Sequence, residues 1–146
     1  MIEKSVELAK AARDEFWSDE SARKDRIKPL VAGSVGPYGA CLDNGEEFSG
    51  NYDLTEQEYI DWHRPRISAL VKAGADLLAC ETNPSLQEVK AIIKLLASEF
   101  PETPAWITFS CKDGERTNKG DSIMDCATEL SKSLQVVAIG ANCTAP

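Results

Sequence analysis

The amino-acid sequence predicts an α/β protein built from parallel strands. Three apolar runs begin near Leu77, Trp106 and Val136, 29 and 30 residues apart, and each interval holds one stretch with helical periodicity. A repeated strand–helix unit specifies parallel strands joined by right-handed crossovers. The runs are apolar throughout rather than alternating, as expected for strands covered on both faces. Two architectures fit, a doubly wound open sheet and part of a (β/α)8 barrel.

Four helices are predicted from the spacing of apolar residues and from start signals. Thr55 with Glu58, and Ser85 with Glu88, form capping-box patterns at the start of the second and third helices. Pro65 lies inside the second helix, where the missing backbone donor predicts a kink or a restart. The predicted helices cover about 2–16, 56–72, 86–96 and 123–134, and the predicted strands cover 29–35, 76–80, 105–110 and 135–140.

Composition excludes several classes of function. Sixteen Lys and Arg against 24 Asp and Glu give a net charge of −8, so nothing draws the chain electrostatically to nucleic acid or to an anionic membrane. No apolar run approaches the roughly 18 residues of a membrane span, and the N-terminus lacks a signal core. The five cysteines are widely spaced, which predicts reduced thiols in the cytoplasm rather than a disulfide framework.

Polar side chains follow the predicted strands at their carboxyl ends, where ligands bind in both architectures. Glu81 ends the second strand and could bind a ligand ammonium group, cap the next helix or pair with Lys112. Ser110 and Asn142 could contact a ligand or make ordinary turn hydrogen bonds. Cys143 could be a metal ligand, a nucleophile or a buried thiol.

Two other features argue against competing chemistries. Gly33, Gly36 and Gly39 have a spacing different from the GxGxxG of dinucleotide-binding folds, and Pro37 removes a donor from a phosphate cradle. His63 is the only histidine and falls inside a predicted helix, so a packing or surface role is favoured over a catalytic one.

Several segments, in order, resemble the homocysteine S-methyltransferase family, including the members that use S-methylmethionine or S-adenosylmethionine. The resemblance covers essentially the whole chain. Its motifs are VAGSVGPYGA at 31–40, EFSGNY at 47–52, HRPR at 63–66, AGADLLACET at 73–82 and VVAIGANC at 136–143.

The resemblance implies a partial (β/α)8 TIM barrel in which residues 1–146 supply strands three to six and lack the first two strands and the last two. It also implies a zinc site with three cysteine ligands, of which Cys143 in Gly-x-Asn-Cys is the first. The other two belong to a Gly-Gly-Cys-Cys motif that this sequence does not contain. Glu81 matches the glutamate that holds the homocysteine amino group, Asn142 matches the asparagine beside the zinc ligand, and Ser110 lies on the edge after strand five.

The implied reaction transfers a methyl group from a sulfonium donor to homocysteine, giving methionine. With one zinc ligand of three, the chain alone is expected to be weakly active or inactive. Half a barrel also exposes strand edges, which favours self-association or a complementing half-barrel. The alternative is a non-catalytic remnant or a half-barrel interaction module.

Overall fold

A computed structural model describes residues 1–144 of the chain as one parallel sheet with helices. The elements are α1 (Ile2–Ser18), β1 (Ala32–Val35), a 3₁₀ helix (Tyr38–Cys41), α2 (Glu46–Ser49), α3 (Glu56–Lys72), β2 (Leu77–Asn83), α4 (Leu86–Glu99), β3 (Ala105–Phe109), α5 (Ile123–Leu130) and β4 (Val136–Ala141). The strands lie in the order β1-β2-β3-β4, and every pairing is parallel. The α/β class predicted from the repeated unit is confirmed.

One face of the sheet forms the hydrophobic core with the helices. Strand residues that alternate along each strand point to this face, as the two-residue period requires. In β1, β2 and β3 these residues are buried against the apolar stripe of α4 and against α3, whereas β4 has no buried residue. The fully buried residues of this core, from strands and helices together, include Val35, Cys80, Ile107, Ile67, Val89, Ile92, Leu95 and Leu96.

The opposite face carries small and polar side chains. Ser34, Ala79, Trp106 and Ala138 occupy paired positions and form a row across all four strands. Ser34 and Ala138 are exposed, and Trp106 is half-buried. This face leads at its carboxyl end to the polar residues that the sequence identified as site candidates.

Two predicted boundaries, the end of β2 and the end of α5, are wrong. β2 does not stop before Glu81 but continues to Asn83, because an irregularity between Cys80 and Asn83 lets the strand resume its pairing with β3. α5 ends at Leu130 rather than near Leu134. Leu134 is fully exposed, so no packing holds a further helical turn there.

Two helical regions also differ from expectation. α3 is a single helix through Pro65, so the predicted restart does not form. The long polar segment after β1 contains the 3₁₀ helix and the one-turn helix α2. Within residues 1–144, no helix has the length and apolar character needed to cross a membrane.

Replacing Leu95 with alanine tests the position of the core. Leu95 is 0% exposed, so we expect Leu95→Ala to lower the free energy of unfolding by about 2–5 kcal/mol. Leu134→Ala removes the same atoms from a side chain that is 102% exposed, and we expect a change within about 0.5 kcal/mol. Urea denaturation of both variants measures the difference. Equal losses would mean that the core lies elsewhere.

Candidate functional site

The carboxyl ends of β1, β2 and β4 surround a pocket of about 170 Å³, here called the rim pocket. Glu81 and Cys143, which lie 62 positions apart in sequence, both line it. The remaining lining comes from β1, from the segment that follows it and from β2. These residues are Ser34, Val35, Gly36, Pro37, Ala40, Glu47, Phe48 and Thr82.

A bulge interrupts β2 between Cys80 and Asn83, beside Glu81. Cys80 pairs with Ile107 and Asn83 with Phe109, so three steps along β2 match two along β3. Thr82 takes up the extra residue with a φ of 66°, an uncommon backbone conformation for a β-branched residue. The Asn83 side-chain amide closes the gap by donating to the carbonyl oxygens of Cys80, at 2.9 Å, and of Thr108, at 3.0 Å. Alternation along β2 keeps Cys80 in the core and places Glu81 in the lining of the rim pocket, and the bulge lets Asn83 be fully buried two residues later.

Glu81 is half-buried and holds one hydrogen bond. The indole Nε1 of Trp106 donates to its Oε1 at 2.9 Å. Among the described residues, no donor occupies Oε2, and no ion pair links Glu81 to Lys112. The next helix is capped instead by Ser85, whose Oγ accepts from the Glu88 amide. The carboxylate thus retains an oxygen that can accept hydrogen bonds from a ligand in the pocket.

The Asn142 side chain connects three strand ends. Its Oδ1 accepts from the backbone amide of Thr82 at 3.0 Å and from the Thr108 hydroxyl at 2.6 Å. Its Nδ2 donates to Thr82 Oγ1 at 2.8 Å. These bonds occupy both ends of the amide and fix the bulge, so the structure gives Asn142 a clear part in building the site.

Cys143 directly follows Asn142 and lines the rim pocket. Its φ is 49°, a left-handed turn that interrupts the alternation of side chains along the strand. Asn142 Nδ2 lies 3.4 Å from its Sγ, and Thr82 Oγ1 lies 3.9 Å away. The residue is exposed. Without this turn, Asn142 and Cys143 would point to opposite faces of the sheet.

Ser110 lies apart from the rim pocket. It is fully buried after β3, its amide donates to the Asn83 carbonyl at 3.0 Å, and its carbonyl accepts from the Asn118 amide at 2.9 Å. Its hydroxyl oxygen has no hydrogen-bond partner in the described structure. Glu81 and Cys143 line the rim pocket, and Asn142 supports it through Thr82 and Cys143. Ser110 lies outside the lining.

The five thiols fall into two chemical groups. Burial raises the pKa of Cys80 to about 12 and that of Cys126 to about 11, and it also raises the pKa of Cys111. Cys41 and Cys143 are exposed. At neutral pH the buried thiols are almost wholly protonated, which makes them poor nucleophiles and poor metal ligands.

The described residues do not form a complete metal site. No group of three or more His, Cys, Asp or Glu side chains within residues 1–144 is arranged to hold an ion. Cys143 is an exposed sulfur beside a polar pocket and fits one ligand position. A tetrahedral site of three thiolates would need two more sulfurs, which the buried cysteines do not supply.

Comparison with known proteins identifies the class and then the family. The metallated homocysteine methyltransferase MmuM from Escherichia coli has a TM-score of 0.90 and 44% identity, over 97% of this chain and 48% of that one. Together with the parallel strand order, this defines the chain as part of a TIM-barrel type enzyme, confirming the predicted partial barrel. A sequence model of homocysteine S-methyltransferases matches residues 1–146. The chain belongs to the homocysteine S-methyltransferase family.

Curated relatives agree with this assignment. Homocysteine S-methyltransferase YbgG of Bacillus subtilis is 56% identical over 99% of this chain and 45% of its own length. Homocysteine S-methyltransferase of Escherichia coli is 44% identical over 99% of this chain and 46% of its own length. The chain therefore spans about half the length of the curated relatives that it matches.

Sequence reasoning missed five residues that build the site. Thr82 and Thr108 hold Asn142 in place, but hydroxyl side chains near strand ends are common and give no distinctive signal. Glu47 and Phe48 line the rim pocket from a segment in which the sequence predicts no helix or strand. Trp106, from a predicted strand that is apolar throughout, donates to Glu81 on the face opposite the core.

Thiol labelling tests the placement of the cysteines. With iodoacetamide at pH 8, we expect Cys41 and Cys143 to react first, because raised pKa values keep Cys80 and Cys126 protonated and burial shields them. Mass spectrometry of digested samples gives the rate at each site. Cys143→Ser should leave Cys41 as the one fast site. Faster labelling of Cys126 than of Cys143 would contradict the structure.

Proposed function

We propose that this chain forms the homocysteine-binding part of a methyltransferase that converts homocysteine to methionine. The observation that carries the proposal is the meeting of Glu81 and Cys143 in one pocket at the carboxyl end of the sheet. The names of the relatives support the substrate and the type of reaction. The methyl donor is a sulfonium compound, S-methylmethionine or S-adenosylmethionine.

The bonds of this reaction balance without an acid–base pair on the protein. The homocysteine sulfur, having lost its proton, forms a bond to the methyl carbon. The bond from that carbon to the donor sulfur breaks, and its electron pair stays on the donor, which becomes a neutral thioether. The principal tasks of the protein are to bind, align and partly desolvate the two substrates.

Glu81 is proposed to bind the homocysteine ammonium group. Its Oε2 has no donor among the described residues, and the Trp106 indole fixes the carboxylate through Oε1. A half-buried carboxylate attracts a cation more strongly than one in water does. Asn142 is proposed to act beside the substrate through its hold on Cys143. Ser110 is kept as a substrate-binding candidate from the family resemblance, although a ligand in the rim pocket would not reach it directly.

Cys143 is proposed as one ligand of a zinc ion whose remaining protein ligands lie outside residues 1–144. The solved relative is described as a metallated form, which supports a metal but does not identify it. Bound zinc would keep the substrate sulfur as a thiolate at neutral pH, where a free thiol with a pKa of about 8.5 is mostly protonated.

The domain organisation follows from the same reasoning. We propose that β1 to β4 correspond to strands three to six of the barrel and that a complementing half-barrel, or self-association, covers the open edges. Val137 and Ile139 on β4 are 59% and 40% exposed, which supports such a partner surface. The chain by itself is proposed to be weakly active or inactive. Five free cysteines support a reducing, cytoplasmic setting.

Substitution of Glu81 tests the substrate site. Glu81→Gln keeps an oxygen for Trp106 but removes the charge, so we expect homocysteine to bind at least about tenfold more weakly, as for loss of a charged hydrogen bond. Glu102→Gln removes the same charge from an exposed turn outside the rim pocket and should leave affinity nearly unchanged. Isothermal titration calorimetry measures both. Equal weakening by the two variants would contradict the role of Glu81.

Zinc titration tests the division of the metal site. We expect the isolated chain to bind zinc weakly and to form no methionine, since it offers one suitable thiolate. Adding a family segment that carries a Gly-Gly-Cys-Cys motif should produce stoichiometric zinc binding and methionine formation, both lost in Cys143→Ser. Metal analysis and chromatography of the products give the readout. Absence of zinc and of turnover in the combined sample would favour the non-catalytic remnant.

A further inference from the structure

The carboxylate of Glu88 is completely buried and holds three donors at once. Its Oε1 accepts from the backbone amide of Tyr38 at 2.6 Å and from Nε2 of His63 at 2.8 Å. Its Oε2 accepts from the Tyr52 hydroxyl at 2.8 Å. The donors come from the segment after β1 and from α3, whereas Glu88 itself lies in the first turn of α4.

Glu88 departs from the behaviour that its sequence pattern predicts. In the corresponding pattern at α3, Glu58 returns to its own helix start and its Oε2 accepts from the Thr55 amide at 2.7 Å. Ser85 likewise accepts from the Glu88 amide, but the Glu88 side chain does not return to Ser85. Glu88 thus forgoes the hydrogen bond to its own helix start and makes hydrogen bonds to other parts of the fold, which indicates a role in the tertiary structure.

The described surroundings of Glu88 contain several donors but no lysine or arginine. Among the described residues, no lysine or arginine pairs with it, and the titratable groups near it are Tyr52, Tyr59 and His63. Nε2 of His63 lies 2.8 Å from the carboxylate, and its Nδ1 is buried without a partner among the described residues. Burial, followed by the charge of Glu88, raises the pKa of Tyr52, and its hydroxyl remains a donor.

Two of these donors belong to the segment that lines the rim pocket. Tyr38 starts the 3₁₀ helix, between Pro37 and Ala40 of the pocket lining. Gly39 packs so closely on the next helix that a Cβ would lie 2.5 Å from the Glu46 backbone. A shift of Tyr38 would therefore also move α2 and the lining residues that follow Glu46, because the two helices are in close contact.

The far end of the same segment is also fixed. The Lys119 ammonium donates to the carbonyl oxygens of Gly50, at 2.8 Å, and Tyr52, at 2.5 Å, and it contacts Asp53 at 2.8 Å. Lys119 therefore holds the backbone at Tyr52, while Glu88 holds its hydroxyl. The segment from Gly36 to Asp53 is anchored at both ends, and Glu88 takes part in both anchors.

We propose that Glu88 is a positioning residue that sets the wall of the homocysteine site. It acts through Tyr38 and Tyr52, does not line the rim pocket itself, and keeps the segment after β1 closed over Glu81 and Cys143. This inference rests on the proposed function for the identity of the ligand. The arrangement of the segment itself does not depend on that identity.

Two replacements of Glu88 separate hydrogen bonding from packing. Glu88→Gln can still accept from Tyr38 and His63 through Oε1, and its amide can donate to a rotated Tyr52 hydroxyl. Glu88→Met has a similar length and leaves all three donors unpaired. Hydrogen exchange of the Tyr38 amide, compared with that of Ile107 in β3, reports local opening, and calorimetry reports homocysteine affinity.

We expect Glu88→Met to speed exchange at Tyr38 by at least about tenfold while Ile107 stays protected, and to weaken homocysteine binding by a similar factor. Glu88→Gln should restore both to within a few-fold of the natural chain. Unchanged exchange and affinity in Glu88→Met, or equal acceleration at Tyr38 and Ile107, would overturn the proposal. So would failure of Glu88→Gln to rescue either property.

Tyr52→Phe keeps the test decisive if Glu88→Met does not fold. It removes one donor and should give intermediate effects on Tyr38 exchange and on affinity, and no change in either would overturn the proposal. If the natural chain binds no homocysteine, the proposed function fails. The exchange data then still decide whether Glu88 holds the segment.

Discussion

Hydrogen bonding by the Asn142 amide ties together the carboxyl ends of β2, β3 and β4. One side chain accepts from the Thr82 backbone and the Thr108 hydroxyl and donates to Thr82 Oγ1. Thr82 can keep its unusual backbone conformation because these bonds replace the regular pairing lost at the bulge. These bonds hold the backbone directly beside Glu81 and Cys143, the two residues that line the rim pocket from β2 and from the end of β4. Even without direct contact to substrate, Asn142 thus determines which groups a ligand at this edge would meet.

Glu81 and Glu88 have the same side chain but different roles, because their surroundings differ. Among the described residues, Glu81 has one donor, the Trp106 indole, and it is partly open to solvent. Glu88 is fully buried and accepts from three donors, two on the segment after β1 and one on α3. A partly exposed carboxylate with a free oxygen can receive a ligand cation, whereas a buried one with donors on both oxygens holds the structure around it. A fully buried carboxylate is rarer than a half-buried one, so burial alone would single out Glu88 as the functional residue. Its hydrogen bonds show instead that it supports the segment around the site.

Much of the fold could be predicted from the sequence because it follows from local, periodic signals. The spacing of Leu77, Trp106 and Val136 fixes parallel strands, and the carboxyl ends of such strands must share an edge, which placed Glu81 and Cys143 together before any coordinates. The bulge could not be predicted, since it depends on the match of β2 with β3 across the sheet. The same limit applies to Glu88. Its sequence pattern predicts a capping box with Ser85, but its side chain accepts hydrogen bonds from donors 25 to 50 residues away instead. Ser110 was placed at the edge but lies buried beside it.

The strand order β1-β2-β3-β4 has a consequence for folding during synthesis. Each strand pairs only with its predecessor and successor in the chain. A polypeptide emerging from the ribosome can therefore add one strand and one helix at a time to a growing template, without waiting for a distant segment to be synthesised. The rim pocket is the exception, because Cys143 and Asn142 reach Glu81 and Thr82 only after β4 has been added. The binding site is thus the last part of this sheet to take shape during translation.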